Sequence, residues 1–132
     1  MSQLILDDQL DVLELLPALS KWITVRRLQT LRPGELILDD RVPEILNSLK
    51  QPTFVTIDEH FWQRRLCSPN YCILYFALRG DQQEQLPGLL RALLRRPEFR
   101  SRAVRMGTVA RVSAAGIDYW QFPSRESRLI EW

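Results

Sequence analysis

The pattern of apolar and polar positions predicts short strands that alternate with helices. Leucines at helical spacing predict helices over 10–20 and 82–96. Apolar or β-prone runs predict strands at 4–6, 22–26, 53–57, 71–78, 104–112 and 117–122. Because strands and helices alternate over most of the chain, the sequence favours an α/β sandwich with a mostly parallel sheet.

Turn and capping residues divide the remaining segments. A further helix is expected to open at Asp39 or Asp40, with Pro43 in its first turn. The residues at 113–116 predict a tight turn, so 104–112 and 117–122 form a C-terminal β-hairpin. The polar segment 123–132 is interpreted as a tail, which leaves a single domain over 1–122.

Length and composition limit the class of protein. The chain has 132 residues, of which 45% are hydrophobic, and this fits one globular domain. No apolar run reaches the roughly 18 residues of a membrane span. The first residues carry no basic segment ahead of an apolar stretch, so no secretory signal is recognised and a cytoplasmic location is expected.

Charge is unevenly distributed, although the net charge is only +2. Residues 1–60 hold ten acids and six bases, whereas residues 61–132 hold six acids and twelve bases. Sixteen of the eighteen basic residues are arginines, which bind phosphate in a two-pronged way. An acidic half joined to an arginine-rich half favours a metal site beside a nucleic-acid path, while a solvated basic helix face is an equally good interpretation of charge alone.

Aspartates follow two of the predicted strands and open one predicted helix. Asp7 and Asp8 follow the run 4–6, Asp58 follows 53–57, and Asp40 comes after the apolar run 36–38. Strands that end in carboxylates bring them to one edge of a parallel sheet, where open α/β folds bind ligands. Carboxylates that meet repel one another unless a cation lies among them. Asp7, Asp40 and Asp58 are therefore predicted to hold Mg²⁺ or Mn²⁺ for phosphodiester hydrolysis.

Each of these aspartates has a structural alternative, as a helix cap or a turn residue. Asp8 assists in the predicted metal site, and Asp39 is a second choice to Asp40 because adjacent side chains point to opposite sides. Thr56 and His60 are expected to support the ligands. Arginines close to the acidic motifs are candidates for binding substrate phosphate: Arg64, Arg65, Arg26 and Arg27.

The segments that carry these acids resemble the small bacterial PIN-like proteins. The resemblance lies in LILDDQL at 4–10, in DDRVPEILNSLKQPTFVTIDEHFW at 39–62 and in the apolar strand that follows. In that family a strand precedes LDEN, an acid opens a helix, and another strand precedes T-x-D-x-D-F. Asp7 and Asp8 match the Asp-Glu pair, Asp40 the helix-opening acid, and Asp58 the first aspartate of the last motif. With the hairpin around 114–116, the similarity covers roughly 4–122.

The resemblance implies a three-layer α/β/α PIN fold and a Mg²⁺- or Mn²⁺-dependent ribonuclease. It implies Asp7, Asp40 and Asp58 as catalytic residues and metal ligands, with Asp8 as a further ligand. It also implies RNA as the substrate, use as the toxin of a toxin–antitoxin pair with a small antitoxin-like partner protein, and a homodimer. His60 stands where the family has its second aspartate, and an imidazole is a poorer Mg²⁺ ligand than a carboxylate. A PIN-shaped interaction module with weakened catalysis is therefore an alternative.

A phospho-acceptor receiver domain is a second alternative. Such domains also end their first strand in two acids and carry an acceptor aspartate at about the separation of Asp58 from Asp7. They resemble one another in a lysine at the end of a late strand, and this chain has no lysine after Lys50. The receiver interpretation is therefore the weaker one.

Overall fold

A computed structural model of the chain describes residues 3–34 and 37–132. It has an α/β architecture with one seven-stranded sheet. The strands are β1 (Gln3–Leu6), β2 (Thr24–Arg27), β3 (Thr53–Thr56), β4 (Cys72–Phe76), β5 (Thr108–Ser113), β6 (Gly116–Gln121) and β7 (Arg128–Glu131). Their order across the sheet is β2-β1-β3-β4-β5-β6-β7, with parallel pairing from β2 to β5 and antiparallel pairing of β6 and β7.

Over residues 3–34 and 37–132, five short α-helices and four 3₁₀ turns connect the strands. The helices are α1 (Val12–Ser20), α2 (Leu28–Leu31), α3 (Val42–Asn47), α4 (Leu86–Leu94) and α5 (Arg102–Arg105). The 3₁₀ turns are Asp39–Arg41, Glu59–Phe61, Arg64–Leu66 and Gly80–Gln85. Within the described ranges, none of the helices combines the length and apolar character that crossing a membrane requires.

The helices cover both faces of the sheet, which makes three layers. One core joins α1 and α4 to the face that carries Leu6 and Leu74. The other joins α2 and α3 to the face that carries Phe54. The central strand β3 is buried along its whole length, as expected for a parallel strand covered on both sides. The predicted α/β class with a mostly parallel sheet and a C-terminal hairpin is confirmed.

The chain changes direction across the sheet between β1 and β3. From β1 it passes through α1 to β2 on one side, and β3 then pairs with the other side of β1. The parallel strands follow the doubly wound order 2-1-3-4-5, in which a crevice opens outside the carboxyl ends of the strands at this point. We call this side of the sheet the carboxyl edge; both Asp7 and Asp58 follow strands that end there.

The structure differs from the sequence prediction in three segments. The segment 82–96 begins in the 3₁₀ turn Gly80–Gln85 before α4. The predicted strand 104–112 overlaps the end of α5, whose N-terminus the Ser101 side chain caps. Gly107, at φ 89°, then turns the chain into β5. The expected tail 123–132 contains β7, which pairs with β6. Of the apolar run 36–38, Leu36 lies outside the described residues.

Candidate metal centre at the carboxyl edge of the sheet

The pairing of β1 with β3 determines the position of the first acidic side chain. Leu6 is opposite Val55 in the parallel ladder, and the Asp7 N–H donates to the Val55 carbonyl at 3.0 Å. Asp7 therefore lies beside Thr56, whose hydroxyl donates to Asp7 Oδ2 at 2.6 Å. Two residues 49 positions apart in the sequence meet at the crevice.

Asp7 is a buried carboxyl group, with 5% of its surface exposed. Burial raises the pKa of Asp7 above its ordinary value, because the charged form loses water. The hydrogen bonds from Thr56 and from the Asp8 backbone act in the opposite direction, and the negative charge of Asp39 adds to the rise in pKa. The buried position therefore disfavours the charged form of Asp7 unless a positive charge lies nearby.

Thr56 links Asp7 to the second acidic side chain. The Thr56 hydroxyl accepts a hydrogen bond from the Asp58 N–H at 3.0 Å and donates one to Asp7. Asp58 then caps the turn Glu59–Phe61: its Oδ1 accepts from the His60 N–H at 3.0 Å and lies 2.9 Å from His60 Nδ1. The Asp58 side chain is 10% exposed and that of His60 78% exposed, so the pair extends from the crevice to solvent.

Asp39 completes the cluster from a different element. It begins the 3₁₀ turn Asp39–Arg41, which leads into α3. One potential ligand atom from each of Asp39, Asp58 and His60 lies within 4.8 Å of the others, and we call these three residues the acidic cluster. The pKa of Asp39 is raised, first by desolvation and then by the charge of Asp58 and a hydrogen bond with it.

The geometry and chemistry of the acidic cluster fit a divalent cation. Ligand atoms of one ion lie no more than about 5 Å apart, since each metal–ligand bond is about 2.0–2.6 Å long. A cation there would remove the repulsion that raises the pKa of Asp39. Two carboxylates with one imidazole form a mixed donor set, which suits Mn²⁺ and related transition metals better than Mg²⁺.

Asp40 and Asp8, the sequence neighbours of Asp39 and Asp7, lie outside the acidic cluster. Asp40, favoured by the sequence analysis, lies in the same 3₁₀ turn as Asp39 but outside the set of three ligand atoms. It is exposed and lines the cleft next to the cluster. Asp8 is also exposed, and its Oδ1 accepts from the Gln29 N–H at 3.0 Å, on the β2 side of β1. Asp8 therefore connects the loop after β1 to α2.

The four arginines proposed from the sequence separate into two pairs. Arg65 lines a cleft of about 400 Å³ together with Asp39, Asp40 and His60. Arg64 and Arg65 both line a second, adjoining cleft. Arg26 and Arg27 end the edge strand β2 and belong to neither cleft.

Two glutamines near the cluster were not among the sequence candidates. Gln9 Nε2 donates to Asp58 Oδ2 at 3.4 Å. Gln63 Nε2 donates to the His60 carbonyl at 2.6 Å, and its Oε1 accepts from Arg65 Nε at 2.6 Å. The spacing of Gln63, three residues after His60, matches a turn contact, but glutamine carries no chemical signature that would mark it in a sequence.

Comparison with known proteins does not assign this arrangement to a family. No family model, no curated protein and no solved structure matches the chain. The function is therefore inferred from the geometry at the carboxyl edge together with the motif resemblance.

Proposed function

We propose that the chain is a divalent-metal-dependent ribonuclease with a PIN-like site. The observation that carries the proposal is the convergence of Asp39, Asp58 and His60 within 4.8 Å at the carboxyl edge. The adjoining cleft also holds Arg65, so a cation site and a phosphate-binding group adjoin each other. A metal-dependent phosphodiesterase can use the two together: the cation stabilises the developing charge and the guanidinium group binds the phosphate.

Mn²⁺ is the ion that the donor set favours, and Mg²⁺ would bind there more weakly. Such an ion supplies Lewis-acid stabilisation of the charge that develops on a phosphodiester as water attacks. The side chains Asp39 and Asp58 would hold it through carboxylate oxygens and His60 through an imidazole nitrogen.

The remaining residues hold this set in position. Asp7 orients the Thr56 hydroxyl, and Thr56 in turn fixes the backbone of Asp58. In its ionised form, Asp7 also adds negative charge beside Asp39, which favours a bound cation. The exposed guanidinium groups of Arg64 and Arg65 would bind substrate phosphates. A toxin role with a small antitoxin-like partner and a homodimer are further proposals that rest on the motif resemblance alone.

The adjacent acids Asp39 and Asp40 provide a matched test. We expect Asp39→Asn to lower Mn²⁺ affinity by at least about 10-fold, the scale seen when a group that supports a metal site is removed. Asp40→Asn should change it by less than about 5-fold, because Asp40 supplies none of the three ligand atoms and an exposed charge near a site contributes at most about 1 kcal/mol. Calorimetric titration with Mn²⁺ and cleavage of a mixed single-stranded RNA pool measure both effects.

The same titration includes Asp58→Asn and an EDTA control. Loss of both Mn²⁺ binding and RNA cleavage in Asp39→Asn and Asp58→Asn, but not in Asp40→Asn, supports the proposal. Wild-type protein that neither binds Mn²⁺ nor cleaves RNA contradicts it. An effect of Asp40→Asn as large as that of Asp39→Asn would contradict the ligand assignment.

A receiver-like phospho-acceptor domain is a second candidate, favoured by the strand order. The order 2-1-3-4-5 is that of flavodoxin-like folds, and Asp58 follows β3 at their ligand-binding edge. The absence of lysine after Lys50 weighs against it. Treatment with acetyl phosphate followed by mass spectrometry tests it: an aspartyl phosphate on Asp58 would favour the receiver and defeat the nuclease proposal.

An interaction module without catalysis is a third candidate, favoured by the imidazole of His60 in a site that otherwise presents carboxylates. Its expected result is RNA binding without cleavage, with equal and negligible turnover in the wild type and in Asp58→Asn. Wild-type cleavage above that of Asp58→Asn favours the nuclease. If the wild type is inactive, a gain of Mg²⁺-dependent cleavage in His60→Asp would identify the imidazole as the cause of the weakened catalysis.

A further inference from the structure

The first of the two clefts, which Asp39, Asp40 and His60 line, is called the acidic cleft below. The second cleft continues from it as a groove along the α3 side of the sheet. It has a volume of about 740 Å³, and Gln63 and Arg65 line both it and the acidic cleft. Residues 63–65 and Cys67 form one wall and the turn 122–125 forms the other. We call it the arginine groove, after Arg64, Arg65 and Arg125.

The fold directs the groove from the carboxyl edge toward the opposite edge of the sheet. Its first wall belongs to the segment that connects the turn after Asp58, at the carboxyl edge, with the start of β4, at the opposite edge. Its second wall follows Gln121, which pairs with Thr108 at the beginning of β5. The Phe122 N–H donates to the Gly107 carbonyl at 2.9 Å, which fixes this wall to the sheet.

The chemistry of the groove suits a polyanion with exposed bases. Arg64, Arg65 and Arg125 are all exposed, and none of the described residues that line the groove is acidic. Arg64 Nη1 lies 3.5 Å from the Arg125 carbonyl, so the two walls are close enough for guanidinium groups from both to reach one chain. Phe122 exposes 48% of its surface at the same place.

We propose that the arginine groove binds single-stranded RNA and leads its phosphates to the acidic cluster, an inference that rests on the proposed nuclease function. The three guanidinium groups bind successive phosphates. The exposed ring of Phe122 stacks on a base, as aromatic side chains do in proteins that bind single strands. A duplex hides its base faces in the helical stack, so the groove selects unpaired RNA.

Binding in EDTA measures the groove independently of cleavage. We expect the full chain to bind a fluorescent single-stranded oligoribonucleotide with a slope of log K against log salt near −2, about −0.7 for each of three phosphates. Arg64→Gln combined with Arg125→Gln should reduce this slope by about 1.4 and weaken binding. Phe122→Leu should weaken binding about 5-fold or more without changing the slope.

The matched control removes two arginines from the other face of the molecule. Arg91 lies in α4 and Arg95 is the C-cap residue of that helix. Helix α4 packs against the opposite face of the sheet. Arg91→Gln combined with Arg95→Gln makes the same change in net charge and should leave affinity and slope nearly unchanged. Equal losses in the two double variants would overturn the proposal, as would binding of duplex RNA as tight as that of the single strand.

Cleavage with Mn²⁺ separates this inference from the proposed function. In the groove variants, the RNA concentration for half-maximal cleavage should rise while Mn²⁺ affinity stays unchanged. Groove-dependent binding without any cleavage would support the groove and contradict the nuclease. Cleavage that is insensitive to Arg64, Arg125 and Phe122 replacements would support the nuclease and contradict the groove.

Discussion

Asp7 places an ionisable carboxyl group in a buried position. Its pKa is raised chiefly by burial, so the folded chain holds a proton there more tightly than the unfolded chain does. Stability from this group is present below the ordinary pKa of 3.8 and is lost as pH rises through the raised folded pKa. At neutral pH the buried position of Asp7 therefore opposes folding, as is common for side chains at functional sites.

We expect Asp7→Asn to raise the free energy of unfolding by about 1 kcal/mol at pH 7 and to weaken Mn²⁺ binding. Asparagine keeps an oxygen for the Thr56 hydroxyl but carries no charge to desolvate. Urea unfolding at pH 7 and below pH 3.8 measures the effect, and the gain should disappear at the lower pH. Asp8→Asn, at an exposed position, should change stability little; an Asp7→Asn variant less stable than the wild type at pH 7 would contradict this account.

At the scale of elements, Arg105 fastens the connection between α4 and β5 to the centre of the sheet. Its side chain is fully buried. Nε donates to Thr53 Oγ1 at 3.1 Å, and Nη1 donates to the Phe99 carbonyl at 2.8 Å and the Arg100 carbonyl at 3.4 Å. Burial lowers the pKa of Arg105. One guanidinium group thus joins α5, the preceding turn and the first residue of β3.

Methionine fills a volume similar to that of the Arg105 side chain but donates no hydrogen bond. Arg105→Met should therefore destabilise the protein by about 2–4 kcal/mol, because these buried acceptors are left without their donor. Arg105→Lys should lose less stability than Arg105→Met, since an ammonium group keeps the charge and some donors. It should still be less stable than the wild type, because it cannot reach all the acceptors at once. Arg102→Met, in the same helix, is the matched control. Urea unfolding distinguishes them; a Met variant as stable as the wild type would mean that the desolvation of the guanidinium cancels its hydrogen bonds.

At the scale of the whole molecule, the sheet extends to β7 through a close backbone approach at Gly116. A Cβ at this glycine would lie 2.3 Å from the Ile130 carbonyl oxygen, and the residue has φ 156°. A side chain therefore cannot be accommodated without moving β7 away from β6. By contrast, a Cβ added at Gly88 in α4 would meet no atom within 4 Å.

We expect opposite effects from the same substitution at these two glycines. Gly116→Ala should lower the free energy of unfolding by at least about 1 kcal/mol and increase amide hydrogen exchange at 128–131, because β7 is displaced. Gly88→Ala should raise it by about 0.5–1 kcal/mol through helix propensity. Unchanged exchange in β7 of Gly116→Ala would contradict this account of the sheet edge.

Local pattern alone predicted the class of fold and drew attention to two aspartates that lie at the carboxyl edge. The buried run at β3 and the leucine spacing of α1 depend on residues close in sequence, so they can be recognised without a structure. Asp7 and Asp58 follow such runs directly, and their common position at the carboxyl edge follows from the parallel pairing of β1 with β3.

Only the tertiary structure distinguished Asp39 from Asp40, because the turn Asp39–Arg41 sets which carboxyl group lies beside Asp58. It also placed Arg125, from the segment expected to be a tail, across a groove from Arg64. These choices depend on the pairing of distant strands and on turn geometry, and the physical reason is general. Hydrophobic periodicity is determined by neighbours in the chain, whereas register and side-chain convergence are determined by the packing of the whole fold.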